Sequence, residues 1–189
     1  MAVTDYKFPG TAANVANGGY AVWSHPDYAK ADDTNYASAT PSAKNNSDYL
    51  TLTNFGFTSS DIPAGATING IEFVINRAHA EADNVYDVLL YLLKDGTQHG
   101  SNLASATKWP TSLTDATYGG STNLCGGSWT QADILDADFG FQLSIKATTK
   151  PASGKFSSVD FGKIRVYYTE SGGGGIVVPV FLYHYMNHC

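Results

Sequence analysis

The clearest structural signal in the sequence lies at residues 68–79, INGIEFVINRAH, where apolar and polar side chains alternate. Successive side chains of a strand point to opposite faces. Ile71, Phe73 and Ile75 therefore share one face, and Glu72 lies on the other. This period of two predicts a half-buried β-strand rather than a helix.

Further segments extend this signal along the chain. The long strand candidates are residues 48–57, 85–94, 139–147 and 156–169. Shorter strands are expected near 103–109 and 121–125, and one more near the N-terminus. In WTQADILDADFG, Thr130 and Asp133 have capping spacing and predict one short helix. Seven to nine antiparallel strands with long loops are typical of an all-β, two-sheet antiparallel β-sandwich of jelly-roll type.

Composition supports an all-β protein and excludes several classes. Of the 17 acidic residues, 14 are Asp, which favours turns over helices. A net charge of −6 argues against nucleic-acid binding. The chain has no apolar run of the ~18 residues that a transmembrane helix needs. Two cysteines cannot form a disulfide framework, and we expect Cys125 to be a buried structural thiol.

The sequence predicts two parts. Residues 1–170 form the sandwich, with a loop-rich N-terminal section at 1–47, and residues 171–189 form a Gly-rich hinge and a hydrophobic C-terminal arm. The loop-rich section needs apolar anchors. The candidates are Tyr20, Trp23, Tyr28 and Tyr36.

The arm has two interpretations. Four glycines at 172–175 precede an apolar segment, IVVPVFLYHYM at 176–186, in which Pro179 favours an edge position. The segment either folds back onto its own domain or reaches a neighbouring subunit. For the second interpretation, the expected subunit-contact residues are Ile176, Val178, Val180, Phe181, Leu182, Tyr183 and Tyr185.

Two kinds of binding site are considered from residue type. Asp27, Asp32 and Asp33 supply oxygen ligands that calcium prefers, although the same residues also cap turns. Trp109, Tyr118 and Trp129 are candidate platforms for a glycan, although most aromatic residues of a sandwich belong to its core. The sequence contains no G-x-S-x-G, H-E-x-x-H or P-loop motif, so no catalytic residues are predicted and no cofactor beyond calcium.

Several blocks together resemble a known family. They are WSHPDYA at 23–29, DDTNYA at 32–37, YLTLTNFGF at 49–57, IPAGATINGIEFVI at 62–75, DVLLYL at 87–92, WTQADILDADFGF at 129–141 and KIRVYYT at 163–169. This pattern, over residues 20–169, resembles a jelly-roll β-sandwich family of phage virion structural proteins and bacterial surface proteins. No catalytic residues come with the resemblance.

The resemblance implies a virion or surface module rather than an enzyme, and of the two we favour a phage virion protein. We expect a capsid decoration or cement protein, attached through subunit contacts and its arm to the major capsid protein or another virion protein. It would be a homo-oligomer, with a trimer expected. The N-terminus MAVTDYKFPG lacks a basic and apolar leader, which favours synthesis in the host cytoplasm and assembly into the virion over secretion. The alternatives are a carbohydrate-binding tail-fibre or cell-surface adhesion module, located outside the cell, and a self-assembling filament subunit.

Overall fold

The structure, a computed structural model, describes residues 1–18 and 21–171. Its strands are β1 (Ala2–Val3), β2 (Thr11–Val15), β3 (Ala37–Ala39), β4 (Tyr49–Thr53), β5 (Thr67–His79), β6 (Val85–Lys94), β7 (Thr97–His99), β8 (Thr114–Gly119), β9 (Gly140–Ala147) and β10 (Ser157–Thr169). A 3₁₀ helix covers Pro26–Ala29, and the α-helix α1 covers Gln131–Leu135.

The strands form two antiparallel sheets that pack face to face. One sheet has the order β1-β10-β5-β8, with β3 also paired to β10, and the other has the order β2-β4-β9-β6-β7. The predicted all-β sandwich of jelly-roll type with one short helix is confirmed. Among the described residues, no helix combines the length and apolarity needed to cross a membrane.

The core follows from the alternation in the long strands. Inward side chains of β5 meet those of β9 between the sheets, where the rings of Phe73 and Phe141 stack with centroids 4.9 Å apart. Gly162 of β10 permits a close approach at the same place. A Cβ atom there would lie 2.5 Å from Leu52 Cδ1 and from Phe141 Cζ. The inward faces of β5 and β9 thus form the core, as the period of two predicts. β9 differs from the expected pattern on its other face, where Gln142 and Ser144 are buried as well.

The predicted helix forms with the predicted cap. The Thr130 side chain accepts a hydrogen bond from the Asp133 amide, and the Asp133 carboxylate accepts one from the Thr130 amide at 2.7 Å. This reciprocal pair satisfies donors that the first turn leaves free.

The two short strands predicted in the middle of the chain are wrong. Residues 103–109 and 121–125 contain no strand, whereas β7 and β8 form nearby. In the first segment, Leu103 and Trp109 donate single backbone hydrogen bonds to β6 rather than forming a ladder. In the second, Cys125 has a φ of 56°, which interrupts an extended chain.

The anchoring of the N-terminal section is confirmed for one aromatic residue and wrong for two. Trp23 is buried, and its Nε1 donates to the Asp48 carbonyl at 3.0 Å. Tyr28 and Tyr36 are exposed, and Tyr28 stacks on His25 at the surface. Tyr20 lies outside the described residues.

The last residue of β5, His79, is a buried histidine. His79 ends β5 opposite Ser157 of β10, and its Nδ1 lies 3.0 Å from Ser157 Oγ. Its Nε2 has no hydrogen-bond partner among the described residues and lies 4.0 Å from a carboxylate oxygen of Glu81. Burial lowers the pKa of His79, an effect that Glu81 opposes and Lys155 reinforces.

We predict that His79 makes the fold sensitive to mild acid. Because the pKa of folded His79 lies below its ordinary value, its contribution to stability is complete above about pH 6.5 and is lost as the pH falls through the lower pKa of the folded state. Urea unfolding of the wild type and of His79→Asn, between pH 7.5 and pH 5, measures this contribution. As the pH falls, the unfolding free energy of the wild type should decrease more than that of His79→Asn. A constant difference would contradict the prediction.

Candidate functional site

A buried carboxylate joins the two sheets at the end of the sandwich where β5 ends. Asp87 of β6 accepts hydrogen bonds from Arg77 of β5, from Trp109 Nε1 at 2.8 Å and from the Tyr118 hydroxyl of β8 at 2.6 Å. The Ser105 amide adds a fourth donor at 3.2 Å. We call these five residues the Asp87 cluster.

The sequence explains why this charge is tolerated. Asp87 is the one acidic residue in the apolar run from Val85 to Leu93. A buried carboxylate without partners costs several kcal/mol, so it persists only when paired and hydrogen-bonded. The pairing register of β6 with β9 shifts between Asp87 and Leu89, which marks a bulge beside the carboxylate. Bulges of this kind redirect a side chain.

Arg77 is held on more than one side. Its guanidinium carbon lies 5.0 Å from the Trp109 ring centroid and 5.6 Å from that of Tyr118, and its side chain is 5% exposed. Its Nε has no hydrogen-bond partner among the described residues. Burial, together with the adjacent Asp87 charge, raises the pKa of Tyr118, so the phenol stays neutral and its hydroxyl donates a hydrogen bond to Asp87.

An open groove lies over this cluster. Its volume is about 410 Å³, and it runs between strand β8 and the loop at residues 105–110. We call it the β8 groove; its lining residues are Arg77, Ser105, Thr107, Lys108, Pro110, Thr114, Asp115, Ala116, Thr117 and Tyr118. Among the described strands β8 pairs with β5 alone, so within this part of the chain its other edge has no strand partner and could hydrogen-bond to a ligand. The lining combines hydroxyl groups, a fixed guanidinium and short apolar side chains.

The structure brings together two of the three predicted platform residues. Trp109 and Tyr118 meet around Arg77, but they are only 1% and 8% exposed. Trp129 lies at another place, is 8% exposed, and packs edge to face with His99 and Phe139. All three rings are therefore used in packing, and the β8 groove offers hydroxyl groups and short apolar side chains rather than an exposed ring.

The predicted calcium residues make the contacts of turns. Asp27 pairs with Lys30 at 2.9 Å, and the Asp33 carboxylate accepts the Asn35 amide at 2.6 Å. The Asp33 amide in turn donates to buried Asp160, whose pKa is raised by burial and by the nearby charges of Asp32 and Asp33. These contacts fit the alternative interpretation of the DD-x-N segment as turn chemistry.

A different group of acids has the spacing of metal ligands. Carboxylate oxygens of Asp95, Asp136 and Asp138 lie within 4.8 Å of one another, and all three residues are exposed. The loop itself brings two of these residues together, because the Asp136 carboxylate accepts a hydrogen bond from the Asp138 amide at 2.7 Å. Exposed acids that group in this way are common without an ion.

Two further predictions concern cysteine and the arm. Cys125 is buried with a free thiol, and burial raises its pKa to about 11, so it is the inert structural cysteine that was expected. The predicted subunit-contact residues, Ile176 to Tyr185, lie outside the described residues.

Sequence reasoning missed Arg77 and Asp87. Each is a charged residue at an inward position of a strand, opposite to the pattern of its neighbours. That pattern is a signal, because a charge on the buried face of a strand needs a partner. The identity of the partner follows only from how the two sheets pack.

Comparison with known proteins identifies no family for this chain. No family model matches the sequence, and no curated protein matches it. Among solved structures, the chain is similar to the CBM22-1 xylan-binding domain of Xyn10C from Paenibacillus barcinonensis, with 11% identity. The match covers 89% of this chain and 97% of that domain, with a TM-score of 0.38. The similarity concerns the β-sandwich architecture alone.

We predict that the Asp87 cluster is a main source of stability. Asp87→Asn should lower the free energy of unfolding by about 3–5 kcal/mol, because it leaves the buried Arg77 charge without its counter-ion. The matched control is Asp115→Asn, which removes a half-exposed carboxylate and should change stability by no more than about 0.5 kcal/mol. Urea unfolding measures both. A loss below about 1 kcal/mol for Asp87→Asn would contradict the prediction.

Proposed function

We propose that the protein is a non-enzymatic carbohydrate-binding domain that holds a polysaccharide in the β8 groove. The observation that carries the proposal is the Asp87 cluster under that groove, which fixes Arg77 and Tyr118 in one arrangement before any ligand arrives. Groups that are already ordered lower the entropic cost of binding.

The chemistry of the groove suits a sugar chain. The hydroxyls of Ser105, Thr107, Thr114 and Thr117 both donate and accept hydrogen bonds, as sugar hydroxyls do. The groove is open rather than enclosed, so a polymer can pass through it. Its volume of about 410 Å³ falls within the range of small-ligand sites.

The charge of the site favours a neutral polysaccharide. Within the groove, Arg77 is neutralised by Asp87, and the remaining lining charges, Lys108 and Asp115, are of opposite sign. The chain as a whole carries a net charge of −6, which repels uronates and sulfated sugars. We therefore expect xylan, glucomannan or a β-glucan to bind in preference to alginate or pectin.

Affinity electrophoresis tests the proposal. The wild type should be retarded by at least one neutral polysaccharide, and Thr117→Arg, which fills the groove, should weaken retardation at least tenfold. The matched control is Thr97→Arg, which places the same side chain at an exposed position of β7 in the other sheet and should bind normally. Retardation by none of the neutral polysaccharides would overturn the proposal, as would normal binding by Thr117→Arg.

A second candidate is the capsid decoration or cement protein that the family resemblance implies. The observation in its favour is that the N-terminal segment, which lies along β10 at an edge of its sheet, exposes two apolar side chains. Val3 is 48% exposed and Phe8 is 41% exposed. Apolar residues at an exposed sheet edge are suited to contact with another subunit. The contribution of the arm to attachment stays a prediction.

For this second candidate we predict a trimer that depends on the N-terminal segment. Val3→Asp should convert the trimer to a monomer, because it places a charge on the contact surface. The control is Val15→Asp, at a residue 42% exposed on β2 of the other sheet, which should remain trimeric. Light scattering coupled to size-exclusion chromatography measures the mass. A monomeric wild type, or a trimeric Val3→Asp, would count against this candidate.

A further inference from the structure

A second groove lies near the start of β5. One wall consists of residues 65–68, where the chain enters β5, and the other consists of residues 129–132, where it enters α1. The volume is about 470 Å³, larger than that of the β8 groove. We call it the Trp129 groove. Ala66, Ile68, Trp129 and Ala132 give its lining a mainly apolar character.

The walls of the Trp129 groove are fixed by hydrogen bonds across it and behind it. Gln131 Nε2 donates to the Ile62 carbonyl at 2.6 Å, which ties α1 to the segment before β5. Trp129 Nε1 donates to the Leu124 carbonyl at 3.0 Å, which fixes the indole from behind. The groove is therefore formed before anything binds in it.

The described chain ends at the rim of this groove. Thr169, at the end of β10, pairs with Thr67 of the groove wall. Ser171 then lies over Gly65, since a Cβ atom on Gly65 would be 2.9 Å from Ser171 Oγ. Gly65 itself has a φ of +75° and lines the groove. The last described residue, Ser171, thus lies beside an apolar groove.

The sequence that follows Ser171 matches the groove in polarity and in reach. Residues 176–186, IVVPVFLYHYM, contain no acidic residue and neither lysine nor arginine. The four glycines at 172–175 can span up to about 14 Å, so residue 176 can reach the groove of its own chain. A ligand on so short a linker has an effective concentration in the millimolar range, which favours the same chain over a second copy.

We infer that the Trp129 groove is the docking site for residues 176–186 of the same chain. This inference goes beyond the proposed carbohydrate binding and does not depend on it. Of the two interpretations that the sequence leaves open for this segment, it favours folding back onto its own domain and adds the docking site. Docking would place apolar side chains against Ala132, which is exposed, and over the small parts of Ile68 and Trp129 that remain accessible. It would also keep the apolar segment away from other molecules.

Disulfide trapping tests the inference in the full-length chain. Ala132→Cys, at an exposed position of the groove wall, is combined with Val180→Cys and with Cys189→Ser. Cys125 stays in place, because it is buried and its raised pKa keeps it protonated. The matched control moves the first cysteine to Thr117 in the β8 groove. After air oxidation, the linkage is read on non-reducing gels and by mass spectrometry of peptides.

Each outcome decides the inference. A disulfide within one chain for the Ala132→Cys pair, with none for the Thr117→Cys control, supports docking in the same chain. A disulfide-linked dimer overturns it in favour of a second copy as the partner. Absence of a linkage overturns docking in this groove altogether.

Hydrogen exchange provides a second test without engineered cysteines. In the full-length chain, Val178→Asp with Val180→Asp should increase amide exchange at residues 65–68 and 129–132 at least tenfold. The same variant should leave exchange in β8 unchanged, which separates loss of docking from general unfolding. Unchanged exchange at residues 65–68 and 129–132 would overturn the inference.

Discussion

The bond between Asp87 and Arg77 constrains much of the sandwich, because it joins one sheet to the other through a buried charge pair. A shift of β6 by one residue would turn Asp87 to the opposite face and leave Arg77 buried without a counter-ion. The Asp87 carboxylate also binds Ser105 and Trp109, so it fixes the loop before β8 as well as three strands. The shape of the β8 groove therefore depends on the same interaction that fixes the register of the strands.

The long strands could be predicted from the sequence because their signal is local. In β5 the predicted inward residues Ile71, Phe73 and Ile75 are fully buried, and the structure places its ends within one residue of the predicted bounds. The other face is only partly exposed, since Val74 and Ala78 are buried there as well. The short segments behave differently. Residues 103–109 resemble a strand in composition. In the structure their backbone donates single hydrogen bonds to β6, and Trp109 binds Asp87, so contacts with distant residues determine their conformation.

The candidate site could be predicted only in part, for a related reason. The sequence predicts Trp109 and Tyr118 as aromatic residues of a binding site. In the structure both rings instead pack against the Arg77 guanidinium. A sequence shows that Arg77 and Asp87 are unusual charges in apolar strands, but it does not show that they face each other. That pairing depends on sheet packing, as does the choice of β8 as an edge strand.

One strand carries both grooves, and this has a consequence for how they can work. Arg77 contributes to the β8 groove near one end of β5, and Thr67 to the Trp129 groove at the other end. The β8 groove extends back to Tyr118, which pairs with Phe73, so about six residues of extended chain, or about 20 Å, separate it from Thr67. The two grooves therefore share no lining residue. Because β5 is paired on both sides by β10 and β8, it acts as a rigid spacer, so occupation of one groove leaves the other available.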